Sequence, residues 1–476
     1  MPERPEATSE CPRLAGAHPG EAALAVLRAL EAAGLEAWIV GGWVRDALRG
    51  APCHDVDICC SGGWEQSARA LEAAGIGVLE TGTRFGGITA VAAGARIEVT
   101  QYRLDGFYTD GRHPESVAPA DCVEDDLARR DFTVNAMAWH PERGLLDVYD
   151  GQGDLARGLI RAVGEPRRRF EEDALRMLRA VRFACRLGFS VEPATAAALD
   201  ACAPLLDQVA RERVGTELEG ILLTGRAGQA MLNHPALFCA AVPELAASRG
   251  FDQHSRYHAY DVYEHTARVL AAAGELELSR AAAGEAGHPA RSLLWAALLH
   301  DVAKPATFTL DENGRGHFYG HPAAGAKAAR RIMGRLGCSR GLVRDACLII
   351  RYHDRPIRCE RSDILGVMRA FAGEGVDTAR LMDELWDIKR ADTLGKAESC
   401  FYYVDEIERM RALTHELLAA GEAYSLKALA ISGGDLVAAG VAPGPRIGEL
   451  LGWALDACIA GEVPNDRTAL LALLGL

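Results

Sequence analysis

The sequence predicts an α+β protein: a small mixed β-sheet with helices in an N-terminal head, followed by an all-α neck, an all-α second domain and a helical C-terminal segment. Three observations lead there. Strand-like runs at Ala37–Val40, 85–91 and 96–100 occur early in the chain. Before the first and between the first and second lie amphipathic stretches with glycine stops, 21–33 before Gly34 and 64–74 before Gly75. From Arg167 onward the apolar spacing is helical almost throughout. The resulting organisation is a disordered tail over 1–20, a head over 21–150, a neck over 151–245, a second domain over 246–400 and a last segment over 401–476.

Composition narrows the class. The chain has 476 residues, 49% hydrophobic and 25% charged, which suits a soluble globular protein of about two to four domains. The apolar run 293–299 is far too short to span a bilayer, so no membrane partner is expected. Residues 1–20 are rich in Pro and Glu and lack the apolar run of a secretory signal. Thirteen cysteines are scattered without a Cys-x-x-Cys pair, which excludes a zinc ribbon or disulfide framework and points to a reducing, cytoplasmic setting. A net charge of −14 argues against a non-specific nucleic-acid coat. Yet residues 157–186 hold nine Arg against four carboxylates, net +5. That stretch is either a charged helix surface or a phosphate-contacting groove, for which Arg is suited.

The head is organised around residues 41–57. Gly41 and Gly42 follow the strand-like run, and a glycine pair there lets a phosphate approach the backbone. Residues 44–48 then start a short helix whose free N–H groups favour an anion. Asp55 and Asp57 are two apart on an extended segment and project from one face. Their mutual repulsion is relieved by a hard cation such as Mg²⁺. Phosphate-binding glycines followed by paired carboxylates suggest nucleotidyl transfer. Glu98, facing opposite to Ile97 and Val99, is either a third carboxylate for that site or an edge-strand charge.

Residues 105–119, rich in Gly, Asp, Pro and His, read as a long loop. Arg129, Arg130, Asp131 and Asn135 could bind triphosphate and ribose hydroxyls, or form the charged start of a helix. Residues 145–155 read as a strand running into a glycine turn. Residues 171–187 read as one amphipathic helix, with Asp173 and Arg176 three apart on one face. A carboxylate accepting from an exocyclic amine beside a guanidinium donating to a ring nitrogen would accept cytosine and adenine and reject uracil and guanine. The bland alternative is a helix-surface salt bridge.

Four ordered motifs then carry a resemblance. They are Gly41-Gly42-x-Val44-Arg45-Asp46; Asp55-x-Asp57; Arg129-Arg130-Asp131-Phe132-Thr133-x-Asn135-Ala136-Met137-Ala138; and Glu172-Asp173-x-x-Arg176-x-Leu178-Arg179-Ala180-x-Arg182-Phe183-Ala184. Together they resemble the class II, bacterial-type CCA-adding tRNA nucleotidyltransferases and their poly(A) polymerase relatives, and Arg211-Glu212-Arg213-Val214 with Glu217-Leu218 looks like that family's next motif. The resemblance implies that Asp55 and Asp57 hold the catalytic Mg²⁺, with Glu98 the candidate third catalytic carboxylate from the strand pattern. It implies nucleotide binding by Gly41, Gly42, Arg45, Arg130, Asp131, Asn135, Arg179 and Arg182, with Asp173 and Arg176 as the protein template. The expected partners are tRNA, CTP and ATP, and the expected reaction is template-independent CCA addition. Cys60 departs from the family, which usually carries Thr there. Poly(A) polymerase shares every head motif and is the first alternative; the loop at 105–119 argues for full CCA addition. A phosphohydrolase whose head merely binds RNA is the second.

The second half carries another constellation: His265, His300, Asp301, His321, His353 and Asp392. A lone His is usually structural, but spaced His and Asp groups of this kind suggest a divalent metal site. The segment resembles the HD phosphohydrolase domains. That implies His265, His300, Asp301 and Asp392 as core ligands, His321 and His353 as ligands of a second metal, and Lys304 as a phosphate contact. The metal, transition ion or Mg²⁺, is left open, as is the choice between 2′-phosphate and 2′,3′-cyclic phosphate substrates. In 401–476 the clearest break is Pro443-Gly444-Pro445. The oligomeric state is not legible.

Overall fold

The computed structural model describes residues 14, 18–53, 55–83, 86–105, 117–255, 257–284 and 290–476. Most of the expected tail, the start of the strand expected at 85 and the centre of the loop expected at 105–119 lie outside the described residues. Leu14, within the expected tail, is buried in the head core. The chain divides into two compact units, 1–218 and 219–476.

In the first unit, apart from a short parallel pair, Leu159–Ile160 with Ser190–Val191, the strands among the described residues are β1 (Ala37–Val40), β2 (Asp57–Cys60), β3 (Gly77–Leu79), β4 (Gly87–Ala92), β5 (Ala95–Gln101), β6 (Arg103–Asp105), β7 (Val117–Pro119), β8 (Ala138–His140) and β9 (Gly144–Leu146). Seven of them form one sheet in the order β3-β4-β5-β2-β1-β8-β9, while β6 and β7 pair separately. The sheet is mixed: β2 runs parallel to β5, and its other neighbours are antiparallel. Period-two alternation sorts the side chains. Ile39, Ile58, Cys60, Ile88 and Val99 enter one buried cluster, together with Val26, Leu27 and Leu30 of α1 (Glu21–Ala32). Trp38, Val40, Cys59 and Tyr102 enter another.

Three local expectations are corrected. Residues 151–157 are a helix, not a glycine turn, because Asp147 accepts the Gly151 and Gln152 N–H groups at 2.7 and 2.8 Å and so caps its start. Residues 127–139 are not a helix with a charged start: α-helix ends at Ala128, a 3-10 turn spans Thr133–Asn135, and β8 begins at Ala138. The helix expected over 171–187 is broken. One helix spans Pro166–Glu172 and the next Leu175–Leu187, with Asp173 extended between them at φ −144° and ψ 104°. The Asp173 carboxylate accepts the Leu175 N–H at 3.0 Å, the local competition that makes Asp a helix-end residue.

The second unit is helical apart from a small hairpin in which Thr309–Leu310 pairs with Gly316–His317. Helix Arg291–Leu299 is buried at every position from Ser292 to Leu299, so it runs through the core. It packs against helices Val262–Ala282, Arg340–Tyr352 and Thr378–Leu394. The C-terminal helices Gly433–Ala438 and Pro445–Ala460 flank the expected Pro-Gly-Pro break. Among the described residues no helix is long and apolar enough to cross a membrane.

Candidate functional sites

In the head, Val56 is buried while Asp55 and Asp57 stand exposed on either side of it. Asp57 is in register with Glu98 on the parallel neighbour β5, and Glu98 is also exposed. The three carboxylates thus share one sheet region, although their oxygens do not form a group within 4.8 Å of one another. Desolvation and then the Glu98 charge push the Asp57 carboxyl above its ordinary range, while Arg130 opposes the shift. Carboxylates crowded in this way match the hard oxygen donors that Mg²⁺ takes.

The two glycines differ. Gly41 has φ +72°, and a Cβ there would stand 3.1 Å from Arg130 Nη1 and 4.0 Å from Asp57 Oδ2. The backbone is therefore bare where Arg130 approaches Asp57. A Cβ at Gly42 would meet only Arg45 Nη2, at 3.7 Å. From Gly42 begins a seven-residue helix, Gly42–Leu48.

A buried chain of polar contacts runs from that helix. Arg45 donates to Asp46 through Nε and Nη2 at 2.8 and 2.7 Å, and through Nη1 to Asn135 Oδ1 at 2.7 Å. Asn135 Nδ2 donates to Asp131 at 3.1 Å, and Arg179 donates to Asp131 Oδ2 through Nε and Nη2 at 3.0 and 2.8 Å. Burial alone would raise the Asp131 pKa, but Arg179 and Asn135 hold it below the ordinary range. Arg182 pairs with Glu217 at 2.9 Å. Phe183 gathers Arg45, Arg179 and Arg182, whose guanidinium carbons lie 5.5, 5.4 and 5.4 Å from its ring centre. Asp46 and Phe183 stand inside the quoted motifs but were assigned no task; their positions one residue after Arg45 and Arg182 were the available signal.

Asp173 and Arg176 are not an ion pair with each other. Arg176 Nη1 donates to Glu172 Oε2 at 2.9 Å and Nη2 to the Arg129 carbonyl at 3.1 Å. Asp173 faces Arg213 at 3.6 Å. Arg176 therefore forms its ion pair with Glu172 and not with Asp173, and Arg213, from the motif at 211–218, is the cation beside Asp173.

In the second unit the six expected ligands converge, from helices distant in sequence. His265 Nε2 lies 3.3 Å from Asp301 and 3.1 Å from Asp392; His300 Nε2 lies 3.2 Å from Asp301. His321 and His353 approach the other oxygen of Asp301 at 3.4 and 3.7 Å. Asp301 stands between the two groups: His265 and His300 with Asp301, and Asp301 with His321 and His353, all buried.

Every one of these rings is oriented in the same way. Nδ1 lies against a backbone carbonyl in each: Gly395 for His265 at 3.1 Å, Ala297 for His300 at 3.0 Å, Phe318 for His321 at 2.9 Å and Ile350 for His353 at 2.7 Å. A carbonyl only accepts, so the Nδ1 facing it carries a proton, and each ring turns its Nε2 inward. His265 and His300 then face each other at 3.4 Å between Nε2 atoms, and His321 and His353 at 3.3 Å. Ligand atoms each about 2.1 Å from one ion at near-tetrahedral angles stand at about this separation. Both Asp301 oxygens are buried without a hydrogen bond. Lys304 Nζ lies 2.7 Å from Oδ2 at ion-pair distance, outside hydrogen-bonding geometry. Burial alone would raise the pKa of Asp301, yet the charges of His300 and Lys304 hold it well below the ordinary range. Burial would depress His265, but the carboxylates of Asp301 and Asp392 raise it. This donor set, inward Nε2 atoms around orphaned carboxylate oxygens, fits divalent metal. Lys396, one helical turn after Asp392 and 2.6 Å from it, had not been singled out.

Family profiles match four successive stretches. These are the Poly A polymerase head domain at 37–161, the "Probable RNA and SrmB- binding site of polymerase A" at 188–248, the HD domain at 262–396 and tRNA nucleotidyltransferase domain 2 at 382–474. The chain is similar to the CCA-adding enzyme of Lacticaseibacillus paracasei, 32% identical over 462 residues and 95% of each chain. It is 43% identical to that of Leuconostoc mesenteroides over 206 residues, 43% of this chain and 50% of the other. Among solved structures, the Bacillus stearothermophilus CCA-adding enzyme in complex with CTP aligns over 96% of this chain and 97% of its own, with TM-score 0.63 and 26% identity. The Thermotoga maritima CCA-adding enzyme complexed with tRNA aligns over 97% of each chain with TM-score 0.61, a likeness of fold at 18% identity.

Proposed function

This chain belongs to the CCA-adding enzyme family, and from that premise we propose that it adds C, C and A to the 3′ end of tRNA from CTP and ATP. The observation that carries the reading is the exposed Asp55–Asp57 pair, with Asp57 beside Gly41 and Arg130 and in register with Glu98. In the reaction the tRNA 3′-oxygen forms a bond to the α-phosphorus while the bond to pyrophosphate breaks and the hydroxyl proton is released. Asp55 and Asp57, with Glu98 beside them, would hold two divalent ions. When bound, these supply charge neutralisation at the α-phosphoryl group and acidify the hydroxyl. Gly41 leaves room for the phosphates, and Arg130 supplies a fixed positive charge there. The Arg45–Asn135–Asp131–Arg179 chain holds the nucleotide-binding side chains in place. Asp173 accepts from the exocyclic amine of C or A and Arg176 donates to the adjacent ring nitrogen; the helix break supports this, since it sets Asp173 in an extended segment between two helices, with Oδ2 facing Arg213 at 3.6 Å.

The inward-turned histidines support a second activity, metal-dependent phosphohydrolysis. His265, His300, Asp301 and Asp392 would hold one ion, and His321 and His353 a second through Asp301. When bound, they supply Lewis acidity and a nucleophilic water. Lys304 offers charge to the phosphate. A 2′-phosphate or 2′,3′-cyclic phosphate on a nucleotide end is the substrate class this reading carries.

The test is incorporation of labelled CTP and ATP, each alone and together, into tRNA lacking its 3′ end, with Mg²⁺. Two C followed by one A is expected. Long A tails without C would make the protein a poly(A) polymerase. No incorporation would leave the second unit as the active part.

A further inference from the structure

Beside the histidine–aspartate centre lies a cavity of about 300 Å³, lined among others by Lys304, Lys396, His258, Asp301, His353 and Tyr319. Its volume is at the low end of small-molecule sites. Two lysines offer it charge, and His258 brings a buried Nδ1 without a hydrogen-bond partner. Tyr319, at its rim, is 76% exposed. A single exposed aromatic is unremarkable by itself. This one is stacked on His317, with ring centres 5.2 Å apart and planes 6° from parallel. His317 is in turn tethered, its Nε2 lying 3.1 Å from Asp311 Oδ2 across the hairpin. The hairpin is pinned beneath, where Gly316 N–H donates to the His254 carbonyl at 3.0 Å. The outer face of Tyr319 is therefore a flat apolar surface held at a set angle, and at 76% exposure no group among the described residues covers it.

We propose that Tyr319 is the specificity-determining residue of this cavity and stacks on the base of a phosphorylated ribonucleoside whose phosphate sits at Lys304 and the metal centre. The inference rests on the phosphohydrolase reading and deepens it. Every base has a π-face, so such a platform selects nucleotides over simple phosphomonoesters without selecting among bases. Lys304 serves both kinds of ligand, because it meets only the phosphate.

The test uses the whole 476-residue chain, Mn²⁺-loaded and free of added nucleoside triphosphate. Hydrolysis of adenosine 2′-monophosphate is compared with that of glycerol 2-phosphate, in wild type and in Tyr319→Ala and Tyr319→Phe. Tyr319→Ala is expected to raise KM for the nucleotide roughly 10-fold or more, with kcat and both constants for glycerol 2-phosphate unchanged; Tyr319→Phe keeps the wild-type values. Equal shifts for both substrates, or none, would overturn the platform. Calorimetric binding of adenosine 2′-monophosphate separates this from the underlying reading. Tyr319-dependent binding without hydrolysis sustains the platform and removes the hydrolase. Binding indifferent to Tyr319→Ala removes the platform even if hydrolysis persists. A ribo-oligonucleotide ending in a 2′-phosphate, run in parallel, tells an RNA end from a free nucleotide by which of the two KM values Tyr319→Ala raises more.

Discussion

The head carboxylates and the histidine–aspartate centre are built on opposite plans. Asp57 and Glu98 are exposed side chains in register on neighbouring strands, and Asp55 is exposed two residues before Asp57. Asp301 is 1% exposed, His265 and His300 are fully buried, and each ring is turned by a carbonyl of its surroundings. The first site is an open surface where cation, nucleotide and primer end can assemble together. The second is a closed donor shell whose geometry is set before anything binds. An open site depends on what it binds for its charge balance; a closed one must balance its charge internally, which Lys304 and Lys396 do in part.

The comparison sharpens first at Asp301, where the largest stability effect is expected. Asp301→Ala leaves Lys304 buried beside no carboxylate and separates the two histidine pairs. Denaturant unfolding should show a loss of about 3–5 kcal/mol, with a fall in bound metal, while Asp55→Ala leaves unfolding nearly unchanged. Equal costs at the two positions would erase the distinction between closed and open sites. A smaller contrast lies within the head. Gly41→Ala forces a side chain into positive φ at a cost of about 1–3 kcal/mol and presses on Arg130. Gly42→Ala meets only an ordinary contact. Incorporation should fall several-fold in the first and hold near wild type in the second; parity between them would mean that the two glycines serve as one turn.

Legibility followed the same division. Spacing of i, i+2 placed Asp55 and Asp57 on one face, and alternation against Ile97 and Val99 turned Glu98 outward; the register with Asp57 needed the sheet. The break at Asp173 was hidden because residues 171–187 keep helical apolar spacing across it, and only the Asp173 side chain competing for the Leu175 N–H reveals it. Ligands such as His265 and Asp392 are far apart in sequence, so a resemblance could nominate them while periodicity could not. Their orientation by backbone carbonyls has no sequence signal at all, since any residue supplies a carbonyl. Lys396 and Arg213 were visible as charges; their partners Asp392 and Asp173 come from folding.

The central claim is that two separate chemistries occupy the two units, and reciprocal substitution tests it most directly. Asp55→Ala and His300→Ala are each assayed for labelled nucleotide incorporation into tRNA lacking its 3′ end and for phosphate release from adenosine 2′-monophosphate. The expected result is a loss of about 10³-fold in incorporation for Asp55→Ala alone and loss of phosphate release for His300→Ala alone. Incorporation that survives Asp55→Ala, or phosphate release that survives His300→Ala, would contradict the account.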